Sequence, residues 1–188
     1  MLARHKAALG AAAFALVVAG SRPAHALQDS LRGPFYVQGV VASFAIQSDT
    51  GNGVYWHPDV EFGWHPTGRH DGFVVGVRQG FDINGNCSLG ETVARLGYDI
   101  ALPLKNGRFE LTVAPYGIAG IGYSFPCGPF GEAHAGLRLG AGIEIKFFLY
   151  KGFYLLARPA ETDLADYVDF ANPVRFYFNS GIGVGFGF

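Results

Sequence analysis

The sequence predicts an all-β chain, an eight-stranded antiparallel up-and-down barrel that crosses a membrane with its strands. Three observations lead to this prediction: an alternation of apolar with small or polar residues, a composition rich in glycine and aromatic residues, and an export signal at the amino terminus. The 188 residues include 28 glycines, and aromatic and charged residues each make up 15%. Membrane barrels alternate in this way because one face of each strand meets lipid and the other faces the lumen.

The amino-terminal segment has the pattern of a cleaved signal peptide. Basic residues precede an apolar stretch at 7–20, and an A-H-A sequence at 24–26 matches a cleavage site. We therefore predict a signal peptide at 1–26 and one barrel domain at 27–188. No other stretch approaches the roughly 20 apolar residues of a spanning helix. The mature chain would carry 11 basic and 15 acidic residues, without the basic patch typical of nucleic-acid binding.

The carboxy-terminal segment shows the alternation most clearly. From Val174 to Phe188 every second residue except Ser180 is apolar, and glycines or polar residues lie between them. The same period divides the mature chain into eight segments. They cover residues 35–46, 59–64, 73–78, 94–104, 109–123, 132–147, 153–159 and 174–188. Only the first breaks the pattern, since Phe44 and Ile46 fall on the face opposite Phe35 unless the strand contains a bulge.

The connections alternate in length, which predicts the orientation of the barrel. A tight hairpin is expected at Lys105-Asn106-Gly107, because Asn-Gly favours a type I′ turn. Tyr150–Gly152 is similarly short, and His65–Asp71 is a modest loop. Longer outer loops are predicted at 47–53, 82–90, 124–131 and 160–173. Short turns face the periplasm in such barrels. An outward aromatic girdle is then expected at the periplasmic rim, formed by Trp64, Phe73, Phe109, Phe147, Phe153, Phe186 and Phe188, with Tyr123 and Phe176 near the other rim.

By parity, eleven charged side chains point into the lumen. They are Asp59, Glu61, Arg78, Arg95, Asp99, Glu110, Arg138, Glu144, Lys146, Arg158 and Arg175. Six are basic and five acidic, and buried charges are costly unless they are paired, so we expect a salt-bridged lumen. An ion pathway or gate is the alternative use of the same charges, although eight strands leave little interior room.

These features resemble the small eight-stranded bacterial outer-membrane barrels, the OmpX-type proteins and the transmembrane domain of OmpA. The resemblance covers Phe35 to Phe188. It implies a location in the bacterial outer membrane, a monomer surrounded by outer-membrane lipid, and a carboxy-terminal signal at Phe186 and Phe188 read by the barrel-assembly machinery. It also implies a structural, envelope-integrity or surface-interaction role, with a partner bound at the outer loops. No cofactor is expected.

An enzyme that modifies lipid A is one alternative to a non-enzymatic role. Barrels of similar size that remove acyl chains from lipid A use a His and a Ser two residues apart on one strand face. Here His134 is followed by Gly136, and Ser180 faces lipid by parity, so we predict no catalytic site. A lipid A-modifying enzyme and a narrow small-molecule transporter remain the alternatives to a non-enzymatic role.

The predicted outer loops carry two further features. Cys87 and Cys127 lie in the second and third loops, and an oxidising compartment favours a disulfide between them. The fourth loop is acidic, and we interpret it as a solvated loop or a surface for a cation or partner. Its acidic residues are Glu161, Asp163, Asp166 and Asp169.

Overall fold

The computed structural model describes residues 33–47, 54–68, 71–84, 87–104, 109–124, 133–150, 152–167 and 174–188. These residues form nine strands, all paired antiparallel. The strands are β1 (Phe35–Gln47), β2 (Val54–Trp56), β3 (Asp59–Trp64), β4 (Gly72–Asn84), β5 (Cys87–Pro103), β6 (Glu110–Ser124), β7 (His134–Tyr150), β8 (Phe153–Tyr167) and β9 (Val174–Gly187). Strands β2 and β3 both pair with β1 and with β4, and each later strand pairs with the next. Strand β1 also pairs with β9, which closes the sheet. None of the described residues forms a helix long and apolar enough to span a membrane.

Strands β2 and β3 lie end to end and occupy one position in the barrel. They are separated by His57 and Pro58, and the proline has no backbone N–H for strand pairing. The neighbouring strands still bond across this break, since the His57 N–H donates to the Ser43 carbonyl at 3.1 Å and the Phe81 N–H donates to the Pro58 carbonyl at 3.1 Å. The barrel therefore has eight strand positions, and the predicted architecture is confirmed.

The predicted bulge in the first strand is confirmed and lies at Val41. The register between β1 and β9 shifts between Val40 and Ala42, so that Val41 and Ala42 both face outward. The extra residue restores the parity that places Phe44 on the outer face. The Trp56 indole N–H donates to the Val41 carbonyl at 2.6 Å. This bond gives the carbonyl of the bulge residue a side-chain donor, in a setting where the membrane supplies no water to replace it.

The outer wall is apolar and carries the predicted girdle. Six of its seven aromatic residues are among the exposed large side chains, and Phe147 is partly exposed. Their rings contact one another, with centroids 5.5 Å apart for Phe109 and Phe147 and 6.4 Å apart for Phe186 and Phe188. A soluble barrel would have the opposite distribution, with apolar side chains inside. The wall is therefore built to face lipid.

The girdle marks the end of the barrel where β1 begins and β9 ends, which we call the turn end; the opposite end is the loop end. At the turn end, Phe35 and Phe188 exchange two backbone hydrogen bonds, of 3.0 and 2.8 Å, and their ring centroids are 6.2 Å apart. These bonds fasten the first and last residues of the barrel seam.

Two predicted boundaries at the loop end are wrong. The loop predicted at 82–90 is largely strand, because β4 continues to Asn84 and β5 begins at Cys87. The loop predicted from residue 160 is also strand as far as Tyr167. The register of β8 against β9 shifts between Arg158 and Glu161, which reverses the parity and hides the continuing alternation. The predicted signal peptide at 1–26 lies outside the described residues.

Candidate functional site

The barrel interior is filled by charged and polar side chains, which we call the interior network. Ten of the eleven charged residues expected in the lumen have buried side chains. The eleventh, Arg175, lies in β9, but its side chain is outside the described part of the structure. The network runs along the barrel in three layers, one near each end and one between them.

The layer nearest the turn end is centred on Asp99 of β5. Lys146 Nζ lies 2.6 Å and His65 Nε2 lies 3.3 Å from the same oxygen, Asp99 Oδ2. The ammonium of Lys146 is also 5.0 Å from the ring centroid of Tyr36, within range of a cation–π contact. A cavity of about 10 Å³ lies beside these groups. It has room for about one water molecule.

The central layer joins two arginines through one carboxylate. Glu144 of β7 contacts Arg95 Nη1 at 2.7 Å through Oε2 and Arg158 Nη2 at 2.9 Å through Oε1. Each arginine has a second acidic partner: Arg95 contacts Glu61 at 2.8 Å, and Arg158 contacts Asp59 at 2.5 Å. Four strands thus contribute to one buried cluster, in which both arginines have charged partners on two sides.

The layer nearest the loop end contains two further arginines. Arg78 contacts Glu91 at 2.8 Å and Glu161 at 2.5 Å. Arg138 contacts Glu91 at 2.8 Å and Asp163 at 3.0 Å. The three acidic residues are fully buried or nearly so. Glu91 is therefore the bridging residue of this layer, as Glu144 is of the central one.

Sequence reasoning missed all three of these carboxylates. Glu161 and Asp163 were expected in an outer loop, whereas the bulge in β8 turns both inward; of the other predicted loop acids, Asp166 is exposed and Asp169 lies outside the described residues. Glu91 shares its parity with Arg95, so extending the alternation of β5 backwards would have found it. The described interior holds eight buried acidic side chains, five buried arginine and lysine side chains, and the buried histidines His57 and His65. Acidic side chains therefore outnumber arginines and lysines in the described interior, which we call the acidic excess.

Tyrosines also enter the lumen, and inner-face glycines accept them. The Tyr36 hydroxyl donates to Glu61, and the Tyr154 hydroxyl donates to Gln38 Oε1 at 2.8 Å. A Cβ at Gly63 would lie 2.1 Å from the Tyr36 ring, and a Cβ at Gly185 would lie 2.2 Å from the Tyr154 ring. At these two positions an aromatic ring occupies the space that the glycine leaves on the inner face.

Comparison with known proteins supports the architecture. No protein-family model and no curated protein sequence matches the chain. Neisserial surface protein A (NspA) superimposes with a TM-score of 0.64 and 17% identity, over 82% of this chain and 97% of that one. The N-terminal β-barrel domain of Pseudomonas aeruginosa OprF has a TM-score of 0.46 and 14% identity, over 84% and 100% of the two chains. Ail of Yersinia pestis, with its bound heparin analogue sucrose octasulfate, has 0.47 and 9%, over 84% and 99%.

This chain has the fold of the small eight-stranded outer-membrane barrels. The likeness to NspA and the apolar outer wall agree on this fold, so the predicted resemblance is confirmed at that level. The interior side chains then decide whether the lumen is open or closed, because a barrel of eight strands has just enough space for its own side chains.

A serine and a histidine meet at the loop end of the barrel. Ser124 of β6 lies opposite His134 of β7, and the His134 backbone N–H donates to Ser124 Oγ at 3.1 Å. Sequence reasoning missed this pair because it searched only for a serine two residues from His134. Gly136 holds that position. Ser180, on β9, lies opposite Phe44 of β1. Within the described ranges, no group of three His, Cys, Asp or Glu residues could hold a metal ion.

Only one of the two cysteines of the predicted disulfide lies within the described residues. Cys87 begins β5 rather than lying within a loop, while Cys127 lies outside the described residues. A bridge between them would tie the start of β5 to the connection between β6 and β7. It stays a prediction from the sequence.

Proposed function

We propose that this protein is a monomeric, non-enzymatic barrel of the bacterial outer membrane with a structural, envelope-integrity or surface-interaction role. The observation that carries the proposal is the interior network, whose ion pairs follow one another from the turn end to the loop end. A lumen closed by paired side chains makes the barrel a rigid support for its outer loops. NspA, which shares the fold, is named as a surface protein.

The network argues against transport because a passage would separate several ion pairs at once. Arg78, Arg95, Arg138 and Arg158 have at most 1% of their surface exposed. Removing one partner from a buried pair costs about 3–5 kcal/mol. Opening the central layer would break the contacts of Arg95 and Arg158 with three carboxylates. Spontaneous opening should therefore be rare.

Conductance across planar lipid bilayers tests this closure. We expect the refolded wild-type protein to add no steady conductance, and the double variant Arg95→Ala/Arg158→Ala to conduct, because it removes the two side chains that fill the central layer. Ala94→Phe, on the outer wall, is the matched control and should behave as wild type. A steady wild-type channel would favour the transporter alternative over our proposal.

A lipid A-modifying enzyme is the second candidate, because Ser124 and His134 lie opposite each other on neighbouring strands. The hydrogen bond between them comes from the His134 backbone and not from its imidazole. Mass spectrometry of lipid A should be compared among cells without the protein, cells with the wild type and cells with Ser124→Ala. We expect one acyl pattern in all three. A wild-type pattern that differs from the other two would identify the protein as an enzyme and Ser124 as a residue that its activity requires.

The partners follow from the same proposal. Outer-membrane lipid surrounds the wall, the barrel-assembly machinery recognises the segment that ends with Phe186 and Phe188, and a surface partner binds at the outer loops. The paired seam between Phe35 and Phe188 supports an assembly role for the last residue, because its backbone completes the strand that closes the barrel.

A further inference from the structure

The outer wall carries a groove of about 440 Å³ that crosses β7, β8, β9 and β1. Its floor follows one row of paired residues, since Ile145 pairs with Ala157, Ala157 with Ile182, and Ile182 with Ala42. The lower edge of the groove includes Phe147 of the aromatic girdle. The groove therefore extends from the girdle at the turn end toward the bulge in β1.

Small side chains and the bulge together create this groove. Ala42 and Ala157 project little from the wall, while the bulge places Val41 beside Ala42 on the same face. Exposure varies along this row: Ile145 and Ala157 are only partly exposed, whereas Ile182 is 61% exposed. A chain lying here would contact apolar side chains of four strands.

The side chains that line the groove are all apolar. It offers no side-chain donor, acceptor or charge to a sugar, a phosphate or a peptide. An elongated hydrocarbon needs none of these, and it gains dispersion contacts along its whole length when it lies in a groove rather than on a flat wall. The volume falls within the range of about 300–1,000 Å³ typical of small-molecule sites.

We propose that the groove binds one acyl chain of a phospholipid from the leaflet at the turn end. The groove is continuous with the lipid-facing wall and begins at the girdle, the level at which head groups give way to acyl chains in membrane barrels. A second barrel would present a convex wall, which fills a narrow groove less completely than a flexible chain does. This site is independent of the role proposed above for the interior and the loops.

Native mass spectrometry of the full chain, extracted from membranes in a mild detergent, tests the proposal. We expect the wild type to retain one phospholipid. Ala157→Phe places a ring on the groove floor and should lower the retained fraction at least tenfold. Ala94→Phe is the matched control, because Ala94 is an exposed alanine of β5 on a different part of the outer wall, and it should retain lipid as the wild type does. The heat-induced shift on a detergent gel checks that each variant is folded.

A second measurement covers the case in which Ala157→Phe does not fold. Phospholipids with brominated acyl chains should quench a tryptophan at Val184→Trp, within the groove, more strongly than one at Val77→Trp on the exposed wall of β4. Equal quenching would overturn the proposal, as would a lipid-free wild type or equal retention by Ala157→Phe. A lipid A adduct, or a dimer that Ala157→Phe dissociates, would show that a different occupant fills the groove.

Discussion

Replacing Arg158 with methionine is the sharpest test of the interior network. Its guanidinium contacts Asp59 at 2.5 Å and Glu144 at 2.9 Å, and all three side chains are buried. Methionine keeps much of the volume but leaves these carboxylates with fewer positive partners. Breaking a buried ion pair in this way costs about 3–5 kcal/mol. The folded-to-unfolded ratio should therefore fall by roughly a hundredfold to several thousandfold.

The acidic excess predicts that losing a positive charge from the central layer costs more stability than losing a negative one. Glu144→Gln also removes two charged contacts, but it lowers the surplus of negative charge, and Arg95 and Arg158 keep their partners Glu61 and Asp59. Hydrogen bonds to charged groups contribute about 1.5–3 kcal/mol each, and the amide oxygen retains part of this. We expect Glu144→Gln to be less destabilising than Arg158→Met by about 2 kcal/mol.

Urea-induced unfolding from phospholipid vesicles measures both variants. The folded fraction is followed by the gel shift and by tryptophan fluorescence, and the free energies are compared at one lipid composition. If Arg158→Met changes the free energy of unfolding by less than 1 kcal/mol, the guanidinium does not hold the central layer together. If Glu144→Gln costs as much as Arg158→Met, the acidic excess has no energetic consequence.

Three further predictions concern the wall, the seam and the cysteines. Trp56→Phe should destabilise the barrel by about 1–3 kcal/mol in the same unfolding assay, because a carbonyl facing lipid loses its donor, whereas Trp64→Phe should cost less. Removal of Phe188 should lower the heat-shifted, folded fraction in isolated outer membranes, and unchanged assembly would contradict a role for the seam. If Cys87 and Cys127 are bridged, the unreduced, unfolded protein should not react with a thiol reagent, and two labels per chain would exclude the bridge.

The period of the sequence was enough to predict the barrel, because strand geometry converts a spacing of two residues into a choice of face. The girdle at Trp64 and Phe153, the inward charges and the bulge in β1 all followed from this one rule. The rule failed at Glu161 and Asp163. A bulge shifts the alternation of inward and outward residues by one position. Without knowledge of the partner strand, the sequence of the second half of β8 resembles a loop.

The sequence by itself determined the fold class, the apolar outer face and ten of the buried charges, since these depend on local parity alone. Only the tertiary structure decided which charges meet. The link from Arg158 to Glu144 crosses neighbouring strands, whereas that from Arg78 to Glu161 spans the lumen between β4 and β8. The groove beside Ala42 likewise exists only once four strands are in register. Closure of the barrel brings together residues that are distant in the chain, and the alternation of the sequence does not predict which of them come into contact.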